Sequence, residues 1–263
     1  YCTMKKIESN ILRRGLFGSI IILLLVAART KEGPTPLKVF ILAGQSNMVG
    51  HGEVEKGDQG NLKYLIENDE SGQYQHLIDE KGEWKVRDDV FIYFNNQEKT
   101  AINGGLTVGY GANESTIGPE LQFGNVMGDF YDDNVLIIKT AWGGKNLAVD
   151  FYPPGAGGES GYKKTPTAAG DTGYYYVQML STVKEVLDSL NNYVPSYEGQ
   201  GYEITGFGWH QGWNDRINQM ANDAYEENMI QFIKDVRRDL GLPKLPFVIA
   251  TTGMSGWNET HPR

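Results

Sequence analysis

The chain alternates between two hydrophobic periods, and their order predicts its architecture. Leu37–Ala43 is a continuous apolar, β-branched run of strand length. Val90–Phe94, Asn134–Lys139, Glu203–Trp209 and Pro246–Thr251 read the same way. Between them the pattern changes to the helical period. Pro119 stands in a first helical turn, and Leu121, Phe123, Val126, Met127 and Phe130 follow on one face. Tyr174–Tyr193 reads as a helix with Val177, Leu180, Val183, Val186, Leu187 and Leu190 inward, and Asn218–Leu240 as a second, longer one. Three stretches carry little periodicity: the polar Gly50–Lys85, the glycine-rich Asn103–Ile117, and Pro153–Gly173, a connection long enough to be functional. Strands alternating with helices predict one α/β domain of three layers, α/β/α, around a mostly parallel sheet with flavodoxin-like strand order.

Composition adds little to that picture except at the amino end. With 263 residues, 40% hydrophobic and 22% charged, the chain has room for one sizeable domain. Residues 1–30 stand apart. Lys5, Lys6, Arg13 and Arg14 precede the apolar run Leu16–Ala28, which has the length of a secretory signal core and is short for a bilayer span. Val26-Ala27-Ala28 supplies small residues for cleavage, and Tyr1-Cys2-Thr3 ahead of Met4 read as translated upstream sequence. The expectation is an export signal followed by a secreted or periplasmic domain, residues 35–263, with no stable membrane association. An uncleaved anchor is the alternative.

Removing residues 1–28 takes away four basic side chains and Glu8, a net +3, so the formal charge of −9 becomes −12. Such an acidic surface repels nucleic acid. The single cysteine, Cys2, leaves with that segment, which excludes disulfides, thiolate catalysis and cysteine metal sites from the domain. No metal or cofactor is expected. A His-Glu-x-x-His metal spacing is absent, no Walker loop exists, and Gly50-x-Gly52 is followed by Glu55 where a dinucleotide loop needs its third glycine.

The candidate chemistry lies in Gly44-Gln45-Ser46-Asn47-Met48, directly after the first strand. The glycine permits a sharp turn, so Ser46 falls at the carboxyl end of a strand, the edge where open α/β sheets bind ligands. A serine there is either a helix N-cap or a nucleophile whose own N–H serves an oxyanion. Two more donors are candidates. Gly118 opens a helix, where its N–H is unpaired within the helix, or it is only the turn that lets Pro119 begin. Gln211 follows strand Glu203–Trp209 and offers a donor that does not titrate, or is a satisfied polar residue at a strand end.

Val39–Met48 as a whole resembles the first block of the SGNH hydrolases, and more narrowly the sialate O-acetylesterase-like branch that includes acetylxylan esterases of carbohydrate esterase family 6. Lys139-Thr-Ala-Trp-Gly-Gly-Lys-Asn-Leu147 is similar to that branch's Gly-Gly segment, and Trp209-His-Gln-Gly212 to its third block, in the branch's own order. The matching span runs from about Leu37 to Phe247–Thr252. The resemblance implies the SGNH hydrolase fold, Ser46 as nucleophile, Gly118 as the second-block glycine, and Gln211 where most SGNH enzymes place asparagine. It implies removal of O-acetyl groups from a carbohydrate, either an acetylated polysaccharide or O-acetyl sialic acid, through an acyl-enzyme on Ser46. Gly143 and Gly144 would let the backbone approach that ligand. Trp142 either stacks on a sugar or shields the sheet end. Asn47 is read as fixing the loop by side-chain hydrogen bonds, and His210 as lining the pocket. Where the branch commonly has Gln-Gly-Glu, this chain has Gln211-Gly212-Trp213, followed by Asn214-Asp215.

Acyl transfer from a serine also needs a base. His51 is five residues beyond Ser46 in the same connection and poorly placed. His76 reads as a surface residue, and His210 neighbours Gln211 on a strand whose successive side chains point to opposite faces. His261 stands in Asn258-Glu-Thr-His261, whereas the family carries Asp-x-x-His near its carboxyl end. Asn258 cannot serve as the carboxylate, and the segment arrives before the further helix and strand that the family would place ahead of it. The expectation is a domain truncated at its carboxyl end, with Asp and His beyond Arg263. The alternative is His261 oriented by Glu259 or a carbonyl. A carbohydrate-binding module on the same scaffold is the rival function, since fold does not fix activity. A lipase would need an apolar acyl channel, which polar, glycine-rich loops do not suggest.

Overall fold

The computed structural model describes residues 35–95, 101–157 and 166–251. The chain begins in β1 (Leu37–Gly44), turns through the short helix α1 (Ser46–Val49), and continues through β2 (Gly52–Glu53) and α2 (Leu62–Glu67) to β3 (Val90–Asn95). Then come β4 (Ile102–Gly105), β5 (Thr116–Ile117), α3 (Glu120–Phe130), β6 (Val135–Ala141) and α4 (Tyr174–Leu187). The last described elements are β7 (Tyr202–His210), α5 (Trp213–Arg216), α6 (Gln219–Asp223), α7 (Tyr225–Asp239) and β8 (Phe247–Ile249).

The main sheet runs β4-β3-β6-β1-β7-β8, parallel throughout except for β4, which is antiparallel to β3. β1 lies between β6 and β7 while β3 lies outside β6, so the order differs from the expected flavodoxin-like one, in which the second parallel strand neighbours the first. β1 is therefore central, and Val39, Ile41 and Ala43 are fully buried. Strand side chains alternate between faces, so each strand feeds two cores. On one face Leu37, Val39, Ile41, Leu136 and Ile138 meet Met179 and Val183 of α4 and Phe232 and Val236 of α7. On the other, Phe40, Leu42, Val135 and Ile137 meet Phe123 and Met127 of α3. These are the three expected layers.

Local readings differ where tertiary contacts override periodicity. The inward face of α4 is Tyr175, Tyr176, Met179, Val183 and Val186, with Val177, Leu180 and Leu187 only partly covered. Aromatic rings fill more of the space under β1 and β6 than the aliphatic stripe could. The expected Asn218–Leu240 helix is two helices divided at Ala224, and the turn there sends the Tyr225 hydroxyl to the Gln211 carbonyl, 2.9 Å away. The Gly50–Lys85 passage contains α2, capped by Asn61, whose side chain accepts the Tyr64 N–H at 2.8 Å. Leu62, Ile66, Leu77 and Leu121 form a small core of their own beneath it.

Lys139 belongs to the middle of a fully buried strand rather than to its end. Its ammonium donates to Glu120 Oε2 at 2.5 Å and to the carbonyls of Val49 and Tyr110 at 2.7 Å each. Glu120 Oε1 accepts the Gly118 N–H at 2.7 Å. Both side chains are wholly buried. Burial pushes the Glu120 carboxyl up and the Lys139 ammonium down, and each partner opposes the other's shift. Removing one member leaves an uncompensated charge. Lys139→Met is therefore expected to lower unfolding stability by about 3–5 kcal/mol, seen as a lower urea midpoint at unchanged slope. Lys38→Met breaks a bridge to the exposed Glu203 and is expected to cost less than about 1 kcal/mol.

Candidate active site

The site is built where three parallel strands end together. Gly44, Ala141 and His210 are register partners at the carboxyl ends of β1, β6 and β7. Gly44 has φ +155°, and a Cβ there would lie 2.3 Å from the His210 carbonyl oxygen, so glycine alone lets β1 turn against β7. The Gln45 N–H then donates to that same carbonyl at 3.2 Å. Gln45, not Ser46, holds the N-cap position of α1: its carbonyl accepts the N–H groups of Met48 and Val49. Ser46 is the first helical residue and half-buried, with its hydroxyl released from any capping role.

Gln45 is the hub around that hydroxyl. Its Nε2 lies 3.4 Å from Ser46 Oγ and donates to Asn214 Oδ1 at 3.3 Å. Its Oε1 accepts from Gln211 Nε2 and from the main-chain N–H groups of Gly212 and Asn214, all at 3.2 Å. Gln211 is turned inward. Its Nε2 faces Gln45, the Lys145 carbonyl at 3.1 Å and Asp215 Oδ2 at 2.5 Å. Asp215 is buried and also accepts the N–H groups of Leu147 and Ala148, pinning the loop that follows Gly143 and Gly144. Burial pushes the Asp215 carboxyl up, and the hydrogen bonds from Leu147, Gln211 and Ala148 pull it back.

Other expected positions are arranged differently. The Gly118 backbone does reach α1: a Cβ on Gly50 would come within 2.1 Å of Gly118 Cα. Its N–H, however, is engaged by Glu120 and does not point into the crevice as a free donor. Trp142 is 2% exposed and packs on Tyr175 and Phe151, so it shields the sheet end and offers no face to a sugar. Gly143 and Gly144 are exposed, with open space above Gly143. Asn47 makes no side-chain hydrogen bond to the described residues; the loop is held by Gln45 instead.

A family model described as carbohydrate esterase, sialic acid-specific acetylesterase, matches residues 36–261. The chain belongs to this family. The motif resemblance and the match agree. A curated relative from Arabidopsis thaliana, named "Probable carbohydrate esterase", is 23% identical over 224 residues, covering 84% of this chain and 71% of its own. The crystal structure of an Arabidopsis thaliana protein aligns with TM-score 0.50 at 19% identity, covering 84% of this chain and 76% of its own. That of NanS aligns with TM-score 0.50 at 17% identity, covering 88% and 72%. These two likenesses establish the shared α/β fold.

Within this carbohydrate esterase family fold, three histidines are described. His51 is exposed just beyond α1. His76 bonds the Gln73 carbonyl and Gln122 Oε1, away from Ser46. His210 is half-buried, and its ring Nδ1 is buried without a partner among the described residues. Asn258, Glu259, His261 and the export segment, residues 1–30, lie outside the described residues. The residues that sequence reasoning missed are Gln45 and Asp215. Gln45 sits inside the motif that marks Ser46, and Asp215 stands four residues after Gln211, so their spacing was a usable signal.

Burial holds the His210 imidazole below its usual 6.5. The folded state therefore favours the neutral ring. That contribution to stability is complete above pH 6.5 and is lost as pH falls through the lowered folded value. His210→Gln is expected to flatten the decline of the urea midpoint below pH 6.5, measured from pH 7.5 downward in steps of about half a unit.

Proposed function

We propose that the chain is a serine esterase that removes O-acetyl groups from carbohydrate through an acyl-enzyme on Ser46. The observation that carries this reading is the placement of the Ser46 hydroxyl. It is freed from capping, stands at the carboxyl edge of the central strand, and lies 3.4 Å from a fixed carboxamide donor. Family membership supports an esterase, and the relative's name supports a carbohydrate ester.

In this scheme Ser46 Oγ attacks the acetyl carbonyl carbon while its proton passes to a base. The sugar oxygen leaves with a proton, and water then releases acetate from the serine ester. None of the three described histidine rings is hydrogen-bonded to Ser46. We assign the base to a histidine outside the described residues, of which His261 is the one in the sequence. The exposed Gly143–Gly144 turn supports a pyranose ring seated beside the serine, since open space lies above it. An acetylated polysaccharide and an O-acetyl sialic acid both fit that chemistry. The Leu16–Ala28 run supports export, which would bring the enzyme to such substrates.

Ser46→Ala is expected to lower acetate release from acetylated xylan, O-acetyl sialic acid and p-nitrophenyl acetate by at least about 10³-fold at unchanged melting temperature. Retention of the wild-type rate would exclude Ser46 as nucleophile. Sugar binding by a wild-type chain that releases no acetate would instead support the carbohydrate-binding module.

A further inference from the structure

Tryptophan is the largest apolar side chain, and in a folded chain it normally finds a core. Among the described residues, Trp142 and Trp209 are buried in the core beneath α4 and α7, and Trp84 packs on the small core near α2. Trp213 joins none of the three cores and stands half-buried at the start of α5. Its neighbours fix where it stands. The N–H groups of Gly212 and Asn214, on either side of it, both donate to Gln45 Oε1 at 3.2 Å. The other end of that carboxamide lies 3.4 Å from Ser46 Oγ. Asn214 Nδ2 donates to the Gly144 carbonyl at 2.6 Å, so the segment that bears the indole is tied to the exposed Gly143–Gly144 turn. The Arg216 guanidinium lies over the indole, 5.2 Å from its centroid, and takes one face of the ring.

Resting on the Ser46 reading above, we propose that Trp213 is a specificity-determining residue whose indole is the platform for the pyranose ring of the acetyl ester. Trp142, the indole expected from the sequence to meet a sugar, is buried and cannot take this part. A pyranose carries C–H groups on its faces and hydroxyls around its rim. An indole covers an apolar face and leaves the hydroxyls to water or to polar groups. The sugar oxygen is bonded to the carbonyl carbon that Ser46 attacks, so the ring must lie close beside the serine. The Gly143–Gly144 turn leaves room for it there, since a Cβ on Gly143 would meet nothing within 4 Å. The stacking contact is made alike before and during acyl transfer, so it acts on substrate capture and not on the chemical step. An ester of a short alcohol has no ring to lay on the indole and gains nothing from it.

The test measures acetate release by the full chain from acetylated xylobiose, O-acetyl sialic acid and ethyl acetate. Trp213→Ala and Trp213→Leu are expected to raise KM about tenfold or more on at least one sugar ester, with kcat within about threefold of wild type. On ethyl acetate their kcat/KM is expected to stay within about threefold. Trp213→Phe keeps a planar face and is expected to hold the sugar KM within about threefold. An unchanged KM on both sugar esters in Trp213→Ala overturns the proposal. So does an equal loss on sugar and ethyl esters, or a phenylalanine variant no better than the leucine one. If Trp213→Ala does not fold, Trp213→Leu is read by the same criteria; if no variant folds, the indole is a structural residue and the proposal falls. Ser46→Ala separates the two claims. If it keeps the wild-type rate, or wild type releases no acetate from any of the three esters, the serine reading falls and this one with it. If it is inactive while Trp213→Ala is unimpaired on both sugar esters, only this one falls.

Discussion

The buried pair of Glu120 and Lys139 is the constraint from which the rest of the arrangement follows. Taking two charges out of water costs several kcal/mol for each, and their attraction offsets this only when every remaining proton and lone pair finds a partner. Here all three Lys139 N–H groups are used, on Glu120, Val49 and Tyr110. The second Glu120 oxygen takes the Gly118 N–H, and the Phe94 ring lies 4.4 Å from the ammonium. The start of α3, the middle of β6, the residue that ends α1 and the Tyr110 loop are thereby fixed to one point. Val49 closes the turn that Ser46 opens. The backbone position of the serine is thus set from behind by a buried ion pair.

A second network sets it from the side. Gln45 joins β1 to the segment after β7, and Asp215 joins that segment to the loop after β6. The three strand ends that surround Ser46 are cross-linked by side chains as well as by the sheet. Tyr225 closes the arrangement from α7. Burial pushes its phenol up to about 12, so it stays protonated and donates to the Gln211 carbonyl. This cluster fixes the geometry around the Ser46 hydroxyl from three sides.

Much of the fold was legible in the sequence. Continuous apolar runs marked the parallel strands, and the motif after β1 marked the serine. What could not be read is instructive. Lys139 ends an apolar run and reads as a strand terminus; only its partner, nineteen positions upstream on another element, makes it a core residue. Ile102–Gly105 has too much glycine to signal a strand, and it becomes one by pairing with β3. Nor does the sequence show that the N–H groups of Gly118 and Gln211 meet acceptors in Glu120, Lys145 and Asp215. Periodicity reports which residues are buried, not which polar partner each will find.

The residues that aim the serine are nearly all carboxamides, and this choice has an outcome for how the crevice meets acid. Glutamine and asparagine carry no charge at any pH, so acidification leaves Gln45, Asn214 and Gln211 themselves unaltered. Asp215 is the one titrating member, and burial moves its carboxyl toward easier protonation. Acid would therefore act first on the floor of the crevice, weakening the hold of Asp215 on the Leu147–Ala148 strap and on Gln211, and would reach Gln45 only through Gln211.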